Sequence, residues 1–418
     1  MEQISCHIED LGPVPLVQPH SVPELGELVR SAAAGQQAIY PLGGQTMLEL
    51  GLPPSRAGIG VDLRSLDQVI DYPARDMTIT VQAGITLAQL QQLLVTENQR
   101  LPIDVPQPDR ATLGGTLAVN VSGPHRYGFG TLRDYVLGVS GVNDEGEEIK
   151  SGGRVVKNVA GYDLCKLYIG SLGTLGLITQ VTLKLKPRAE EQAVVLVGCG
   201  DTALESLLEE VHRSRTRPVC LDLLNQAAVQ YINQQAGIML PDGPWLLVIG
   251  FEDNRATVHW QVQQIVQELA AASYAAVDTR TGSAAEPLWQ VLTEFYSRAG
   301  TGLTFKASVL PGCASAFCLR AAELVDGLML QAHAGDGILI GHVDSDLTLK
   351  QAQAMLKNLH DAARTGQGSL IIPRCPTLWK RELPVWGVGR GDVWLMRAIK
   401  EKLDPRRLFN PGRFVDGI

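Results

Sequence analysis

The sequence predicts an α+β fold in which a glycine-rich amino-terminal part precedes a part with alternating strands and helices. Two observations support this fold class. Between Gly114 and Gly176, a stretch of 63 residues contains 14 of the 43 glycines. After Arg188 glycine becomes less frequent, and strand and helix patterns alternate as they do where helices pack on a sheet. A chain of 418 residues is long enough for two or three domains.

The composition argues against several classes of protein. Hydrophobic residues make up 45% of the chain and charged residues 19%, as in ordinary globular proteins, and the net charge of −8 disfavours a nucleic-acid partner. We expect no membrane-spanning helix, because no apolar run reaches about 18 residues. The amino terminus does not resemble a signal peptide. The seven cysteines are scattered, so we expect a reduced, cytoplasmic protein without an iron–sulfur cluster of its own.

Capping patterns and apolar alternation predict the elements of the amino-terminal part. Ser21 to Glu24 is typical of a capping box and begins a helix that extends to about Ala33. A second capping box at Thr86 begins a helix that extends to about Glu97. A third helix is predicted at residues 113–119, and strands are predicted at residues 37–42, 60–62, 77–81, 136–142, 148–150 and 177–186.

The turn after the first of these strands is a candidate anion site. Leu42 ends the strand, and Gly43, Gly44, Gln45, Thr46 and Met47 follow it. Two glycines and polar residues in such a turn can present successive backbone N–H groups to an anion. The alternative is a plain turn without a ligand.

A second candidate anion site is the start of the helix at residues 113–119. Thr112 is the predicted N-cap, and Gly114 and Gly115 lie in the first turn. The first N–H groups of a helix have no partner within the helix, and glycine adds no side chain, so a pyrophosphate can approach them directly. The alternative is that these glycines only permit tight turns.

The order of motifs between residues 102 and 187 is more specific than either turn alone. It contains ATLGG at 111–115, N-x-SG at 120–123, YGFG at 127–130, VVKNVAGYDL at 155–164 and GSLGTLG at 170–176. This order resembles the FAD-binding domain of the vanillyl-alcohol oxidase and p-cresol methylhydroxylase (PCMH-type) flavoproteins. Within that group it is most similar to the FAD-binding subunit of bacterial glycolate oxidase, or glycolate dehydrogenase.

The resemblance implies a domain organisation and a cofactor. It implies a two-lobed PCMH-type FAD-binding domain at residues 1–187 and an α+β, ferredoxin-like cap or substrate domain at residues 188–385. A carboxy-terminal helix and tail at residues 386–418 would pack back on the FAD domain. The residues implied to bind FAD are Leu42, Gly43, Gly44, Gln45, Thr46, Met47, Pro106, Thr112, Gly114, Gly115, Asn120, Ser122, Gly123, Gly128, Gly176, Ile178 and Asn410.

We expect FAD to be bound noncovalently. In some relatives a histidine in the first loop is joined to the flavin, but no histidine occurs here between His20 and His125. His125 itself lies in the second glycine-rich loop, where we favour exposure to solvent over contact with the cofactor. Lys157 and Asn158 either contact the cofactor or cap a turn.

For the second half of the chain, strands are predicted at residues 193–198, 219–224, 245–251, 304–309 and 338–340, and helices at residues 203–213, 256–272, 314–329 and 347–364. A further helix at residues 392–403 precedes DPRRLFNPGR at residues 404–413. This segment resembles the carboxy-terminal segment of the family. Asn410 and Arg413 either touch the flavin or serve only as a structural clasp.

The sequence leaves the catalytic residues open. His333 begins HAGDG, which resembles the H-x-GDG-N-x-H segment of D-2-hydroxyacid dehydrogenases, but isoleucines stand at positions 338 and 340. We expect no metal there, because His342 should lie on the opposite face of the strand from His333, and we predict a hairpin turn at residues 335–337. Arg374 and Arg390 are candidates, by residue type alone, for binding a substrate carboxylate.

The resemblance implies an FAD-dependent oxidoreductase that takes part in the oxidation of a small 2-hydroxy acid to a 2-oxo acid. It implies the FAD-binding subunit of a glycolate dehydrogenase complex, whose partners are a larger flavin subunit and an iron–sulfur subunit. Two alternatives remain open. One is a self-sufficient D-lactate or D-2-hydroxyacid dehydrogenase, and the other is an FAD-binding assembly subunit without turnover.

Overall fold

The computed structural model describes residues 5–153, 163–241, 243–274, 278–298, 300, 302–344, 347–389 and 391–418. These residues form two compact units. The first unit contains the described residues of 1–121, 131–188 and 380–418, and the second contains those of 122–130 and 189–379. Lys157, Asn158 and Arg390 lie outside the described residues, so the predictions made for them stay predictions.

The first half of the chain has the predicted elements, with ends that differ by at most two residues. The strands are β1 (Ser5–His7), β2 (Pro13–Val17), β3 (Ala38–Leu42), β4 (Gly58–Asp62), β5 (Val69–Asp71), β6 (Thr78–Gln82), β7 (Gln99–Arg100), β8 (Val136–Val142), β9 (Glu148–Gly152), β10 (Leu177–Lys184) and β11 (Lys186–Pro187). The helices are α1 (Val22–Ala34), α2 (Leu87–Val95), α3 (Leu113–Val119), α4 (Arg126–Phe129) and α5 (Cys165–Tyr168).

Two main sheets organise the first unit. One has four strands in the order β1–β2–β4–β3, in which β4 is parallel to both β2 and β3. The other has five antiparallel strands in the order β5–β6–β10–β8–β9. Helix α1 buries Leu25 and Val29 in a core that also contains Ile39 of β3 and Phe409 of the carboxy-terminal tail. The tail is therefore part of this core.

The helix caps follow the local sequence. Thr86 and Gln89 form the complete capping box of α2. At α1 the Ser21 side chain accepts the N–H of Glu24 as predicted, whereas the Glu24 carboxylate accepts the N–H of His20 at 2.7 Å. Thr112 caps α3 by accepting the N–H of Gly115.

The second unit is built on an eight-stranded antiparallel sheet in the order β15–β12–β14–β13–β17–β18–β16–β19. Its strands are β12 (Glu191–Cys199), β13 (Cys220–Asn225), β14 (Trp245–Asp253), β15 (Asp278–Thr281), β16 (Leu303–Ser308), β17 (Met329–His333), β18 (Ile338–Val343) and β19 (Ser369–Arg374). Its longer helices are α6 (Leu204–Arg213), α7 (Gln226–Ala236), α8 (Arg255–Ala271), α9 (Glu286–Glu294), α10 (Ala314–Leu324) and α11 (Leu349–Thr365).

The α+β class of this unit agrees with the prediction, but several elements were missed. The sequence did not predict α7, α9, β15, β17 or β19. The predicted helix at residues 314–329 was too long, because α10 ends at Leu324 and Met329 already belongs to β17. Strand β17 pairs with both β13 and β18, and these partners are not visible in a local pattern.

The tail begins with α12 (Val393–Leu403) and then runs beside β3. The N–H of Ile39 donates to Leu408 at 2.7 Å, and the N–H of Asn410 donates back to Ile39 at 2.8 Å. The buried Asp404 carboxylate accepts the N–H groups of Leu408 and Phe409, each at 2.9 Å. Asp404 thus fixes the turn that brings the tail to β3.

In the part of the chain that the structure describes, no helix is long and apolar enough to cross a membrane.

Candidate functional site

A cavity of about 1100 Å³, counting the space at its mouth, lies within the first unit. Its walls come from the loop after β3, the first turns of α3, the segment before β10 and the tail. Thirteen of the seventeen predicted cofactor residues line it: Leu42, Gly43, Gly44, Gln45, Thr46, Met47, Pro106, Thr112, Gly114, Gly115, Gly176, Ile178 and Asn410. Their positions span more than 360 residues of sequence, and the fold brings them to one site.

The loop after β3 offers this cavity a run of backbone donors, which we call the amide run (residues 43–48). None of its six N–H groups donates to a described residue. Gln45 has a left-handed φ of 55°, as expected where successive N–H groups curve around an anion. Residues 43–48 are half-buried, so these N–H groups are open to a ligand, and hydrogen bonds to a charged acceptor are stronger than those to a neutral one. The amide run therefore favours an anionic ligand such as a diphosphate.

The start of α3 does not provide the second set of free N–H groups that the sequence predicted. All four N–H groups of residues 113–116 donate within the protein. Those of Leu113 and Gly114 donate to the carbonyls of Ile85 at 2.9 Å and Ala83 at 2.8 Å. Those of Gly115 and Thr116 donate to the side-chain hydroxyl oxygen of Thr112 at 3.3 Å and to its carbonyl at 2.9 Å. That part of the prediction was wrong, because the segment at residues 83–85 and the N-cap satisfy this turn. The first turn of α3 remains a wall of the cavity.

The glycines of the two loops are explained mainly by close packing. A Cβ atom on Gly43 would lie 2.1 Å from the hydroxyl of Thr112, and one on Gly44 would lie 1.7 Å from the carbonyl of Arg110. A Cβ on Gly114 would lie 2.8 Å from that of Ala83. Gly43 and Gly44 let the loop after β3 approach the segment before α3, and Gly114 lets α3 approach Ala83. None of the three has a positive φ, so close packing explains them and not the tight turns that were the alternative from the sequence.

The rest of the cavity wall is mainly apolar. Pro106 and Ile178 are joined there by further apolar side chains, namely Ile8, Leu42, Met47, Leu63, Val105, Val119, Val121 and Leu172. Binding pockets for large ligands combine such walls with a few convergent donors. Unpaired N–H groups beside an apolar wall fit the diphosphate and the flat ring systems of FAD.

The tail contributes Asn410 and Arg413, and both also hold the protein together. The Asn410 side-chain amide donates to the carbonyl of Leu172 at 2.6 Å. The Arg413 guanidinium, only 4% exposed, donates to the carbonyls of Leu48 and Leu50. Burial lowers the pKa of Arg413, although the nearby Glu9 raises it. Both residues therefore act as a structural clasp and also line the cavity, and their contact with the flavin stays a prediction.

Four predicted cofactor residues do not line the cavity, and their cofactor role stays a prediction. Asn120 is the left-handed C-cap of α3, with φ 57°. Ser122, Gly123 and Gly128 belong to the second unit. There the N–H of Gly128 donates to Val219 at 3.0 Å, and a Cβ on Gly128 would lie 2.6 Å from the Cα of Val219. Close packing within the second unit thus explains Gly128.

The expectation that His125 is exposed to solvent was wrong. Its side chain is buried, and its ring stacks on Trp289 with 4.3 Å between the ring centroids. Its Nε2 atom lies 3.1 Å from a carboxylate oxygen of Glu252. Trp289 lies on a helix that the sequence did not predict, so this environment could not be anticipated.

The second unit contains a buried polar cluster around His333. Its Nδ1 atom lies 2.7 Å from the carboxylate of Asp222, which has no exposed surface and also accepts the Gln331 amide at 2.7 Å. The turn after His333 carries Asp336, whose carboxylate is 3.5 Å from the guanidinium of Arg126. Burial raises the pKa of Asp336, and Arg126 opposes that shift.

A second cation, Lys306 of β16, lies on the same face of the sheet as His333, because Lys306 pairs with Ile340 and Ile340 pairs with Gln331. Lys306 is half-buried, and no described residue forms a hydrogen bond or an ion pair with its ammonium group. Burial, with a smaller contribution from the charge of Arg126, lowers the pKa of Lys306 to about 8. Two cations near a buried histidine–aspartate pair form a local environment that suits an anionic ligand.

The turn at residues 335–337 is the predicted hairpin between β17 and β18. The prediction that His342 lies on the opposite face from His333 was wrong. His342 pairs with Met329 across the hairpin, and Met329 and His333 lie four residues apart on one strand, so all three share a face. His342 is nevertheless engaged elsewhere, since its ring nitrogens contact Thr304 at 2.9 Å and the carbonyl of Phe295 at 2.7 Å. Arg374, the other described candidate, donates to the carbonyl of Arg298.

Comparison with known proteins adds family matches to this geometry. The profile described as "FAD binding domain" matches residues 13–152. The profile described as "FAD linked oxidases, C-terminal domain" matches residues 186–371 and 380–414, which is more than half of the chain. The first match includes the amide run and the start of α3, and the second includes most of the sheet of the second unit and the tail.

Individual relatives are similar along the whole chain or in part. Glycolate oxidase subunit GlcD of Bacillus subtilis is 26% identical over 425 residues, covering 96% of this chain and 88% of the relative. D-lactate dehydrogenase of Archaeoglobus fulgidus is 25% identical over 420 residues, covering 96% of this chain and 91% of the relative. Glycolate oxidase subunit GlcE of Escherichia coli is 34% identical over 163 residues, covering 39% of this chain and 46% of the relative.

A solved structure supports the fold. p-Cresol methylhydroxylase with bound substrate has a TM-score of 0.74 and 16% identity, over 95% of this chain and 88% of the other. At that identity the likeness concerns the fold alone, and it confirms the predicted PCMH-type class. Together with the FAD-fitting cavity and the two family matches, it leads to one conclusion. The chain belongs to the FAD-linked oxidases and is an FAD-dependent oxidoreductase.

Proposed function

We propose that this chain is the FAD-binding subunit of a glycolate (2-hydroxyacid) dehydrogenase complex, in which a 2-hydroxy acid is oxidised to a 2-oxo acid. The observation that carries the choice of substrate class is the cluster of Arg126, Lys306 and the His333–Asp222 pair. A 2-hydroxy acid has a carboxylate that needs a cation and a hydroxyl proton that needs a base. The cluster offers residue types for both tasks.

When bound, FAD supplies the hydride acceptor for such an oxidation. The protein must hold the substrate carboxylate and take up the hydroxyl proton. Arg126 and Lys306 are the candidates for the carboxylate, since they lie together and Lys306 has no anion among the described residues. His333 is the candidate base. With Asp222 at its Nδ1 atom, the neutral ring carries its hydrogen there, so that Nε2 is the basic nitrogen.

The proposed partners are a larger flavin subunit and an iron–sulfur subunit, and we propose a cytoplasmic location and noncovalent FAD. Similarity to two relatives that are named as glycolate oxidase subunits supports an assembly. The cysteines are consistent with this, because their spacing does not match a cluster motif and the iron–sulfur cluster of such a complex would belong to another chain.

Anaerobic reduction of the bound flavin tests the proposal. The purified chain and the chain co-expressed with its partner subunits are each mixed with glycolate or D-lactate, and the visible flavin absorbance is followed. Bleaching that needs the partners is the expected result. Bleaching of the isolated chain would favour a self-sufficient dehydrogenase. Flavin that is not reduced even in the presence of the partner subunits would leave only the role of an assembly subunit.

The self-sufficient alternative has its own support. The relative from Archaeoglobus fulgidus, which matches 96% of this chain over 91% of its own length, is named D-lactate dehydrogenase and not as a subunit. The same anaerobic experiment separates the two functions, because only a self-sufficient enzyme is reduced by substrate without partners.

Substitution of Lys306 tests the proposed carboxylate site. We expect Lys306→Met to raise the KM for glycolate in the assembled complex by roughly tenfold or more, the effect of losing about 1.4 kcal/mol of binding. FAD content should not change. Lys350→Met is the matched control, since Lys350 is exposed on α11 of the same unit. A KM that is unchanged in Lys306→Met would exclude this site.

A further inference from the structure

Two buried cations lie behind the amide run. Arg413 donates to the carbonyls of Leu48 and Leu50, the latter at 2.9 Å, and Lys380 donates to the carbonyl between them, that of Glu49. Lys380 is 1% exposed and Arg413 is 4% exposed. Three consecutive carbonyls, from the last residue of the amide run to the second residue after it, are thus held by positive charge.

Glu9 holds the two cations together. Its carboxylate lies 2.6 Å from the ammonium of Lys380 and 3.6 Å from the guanidinium of Arg413, and its side chain is 4% exposed. Two positive charges and one negative charge therefore lie together out of water. The uncompensated positive charge adds to the electrostatic potential behind the amide run, where low polarity weakens screening.

The amide run needs an anchor at each end. At its amino-terminal end the anchor is β3, where the carbonyl of Leu42 accepts the N–H of Leu63 at 2.9 Å. At its carboxy-terminal end Lys380 and Arg413 anchor it by hydrogen bonds to the carbonyls of residues 48–50. A loop that is fixed at both ends loses less conformational entropy when a ligand binds.

We propose that Lys380 and Arg413, paired with Glu9, form a cationic support that orients the amide run and sets the affinity for the diphosphate of FAD. Arg413 also lines the cavity, whereas Lys380 does not. Lys380 therefore acts only through the loop, as a positioning residue. The proposal concerns cofactor binding and stands independently of the substrate and of the partner subunits.

Lys380→Met tests the support, with affinities for FAD and for riboflavin measured by quenching of flavin fluorescence on the full chain freed of cofactor. Riboflavin lacks the diphosphate. We expect the FAD affinity to fall by roughly tenfold and the riboflavin affinity by less than about twofold. Lys380→Arg keeps the charge and should restore most of the loss. Lys402→Met, at an exposed position of α12, is the matched control.

A merely structural role would lower both affinities together, so the ratio of the two is the deciding quantity. An unchanged ratio in Lys380→Met would overturn the proposal. If that variant does not fold, Lys380→Gln decides, because glutamine is neutral but can still donate to the carbonyl of Glu49. We then expect a selective loss of FAD affinity of about threefold or more, and an unchanged ratio would again overturn the proposal.

Discussion

His342 shows how burial controls the protonation of a single side chain. It has no exposed surface, and both ring nitrogens contact groups of the second unit. Burial lowers its pKa to about 4, although the carbonyl of Phe295 opposes the shift. A neutral ring that is hydrogen-bonded at both nitrogens serves the packing of the sheet, which explains why His342 takes no part in the cluster around His333.

This lowered pKa predicts a loss of stability in mild acid. In the unfolded chain the histidine binds a proton below about pH 6.5, whereas in the folded chain it stays neutral until about pH 4. The unfolded state therefore gains the proton first, and the stability that His342 contributes above pH 6.5 is lost as the pH falls. We expect a decrease of about 2 kcal/mol in the free energy of unfolding between pH 7 and pH 5 from this group.

Denaturant unfolding of the wild type and of His342→Gln at pH 7 and pH 5 measures that decrease. The variant should be less stable at pH 7 but should lose less stability on acidification. Equal pH dependence in the two proteins would contradict the assignment of the acid-sensitive step to His342.

Single residues also show where sequence reasoning succeeded. Thr112 was predicted to cap a helix at residues 113–119, and it does, because capping depends on neighbours within three residues. By contrast, the N–H of Gly114 donates to the carbonyl of Ala83, which is 31 residues away in the sequence. No local pattern predicts that hydrogen bond. Thirteen residues of the cavity could be named from the sequence, but not which of their N–H groups are free.

At the scale of elements, the tail after α12 is fixed by a buried ion pair. Lys400 donates to the Asp404 carboxylate at 2.6 Å and to the carbonyl of Thr174 at 2.7 Å. Asp404 in turn accepts the N–H groups of two residues of the tail. This arrangement explains the aspartate of the DPRRLFNPGR segment as a structural residue, which carries the tail to the edge of β3.

We predict that Asp404→Ala destabilises the first unit and removes FAD. The ammonium of Lys400 would stay buried without its carboxylate, which costs about 3–5 kcal/mol. Asn410 and Arg413 would also lose their fixed position on the cavity wall. Thermal unfolding and the flavin content of the purified protein measure both effects.

Asp416→Ala provides the comparison for this prediction. Asp416 pairs with Arg397 at the surface, where both side chains are about half exposed, so we expect a change of at most about 1 kcal/mol and full flavin content. Equal effects of the two substitutions would show that the buried pair does not hold the tail.

At the scale of the whole molecule, the sequence was most informative where the order of motifs was long. The glycine-rich motifs of the first half predicted the cofactor and the fold class, and the family matches confirm both. The second half was harder to predict, because β17 and β19 depend on pairing between distant strands. The burial of the His125 ring depends on stacking with Trp289, which is 164 positions away in the sequence. Contacts of that range are set by the tertiary structure and not by local pattern.

The cofactor cavity draws its walls from residue 8 to residue 413 of the chain. A growing polypeptide on the ribosome exposes the residues of the amide run early, but the Lys380 and Arg413 side chains that hold the run and the part of the wall at residues 410–413 are made only near the end of synthesis. Flavin capture must therefore follow synthesis of both units. A proteolytic cut anywhere before residue 410 that releases the tail would yield colourless protein, however intact the loop at residues 43–48 remained.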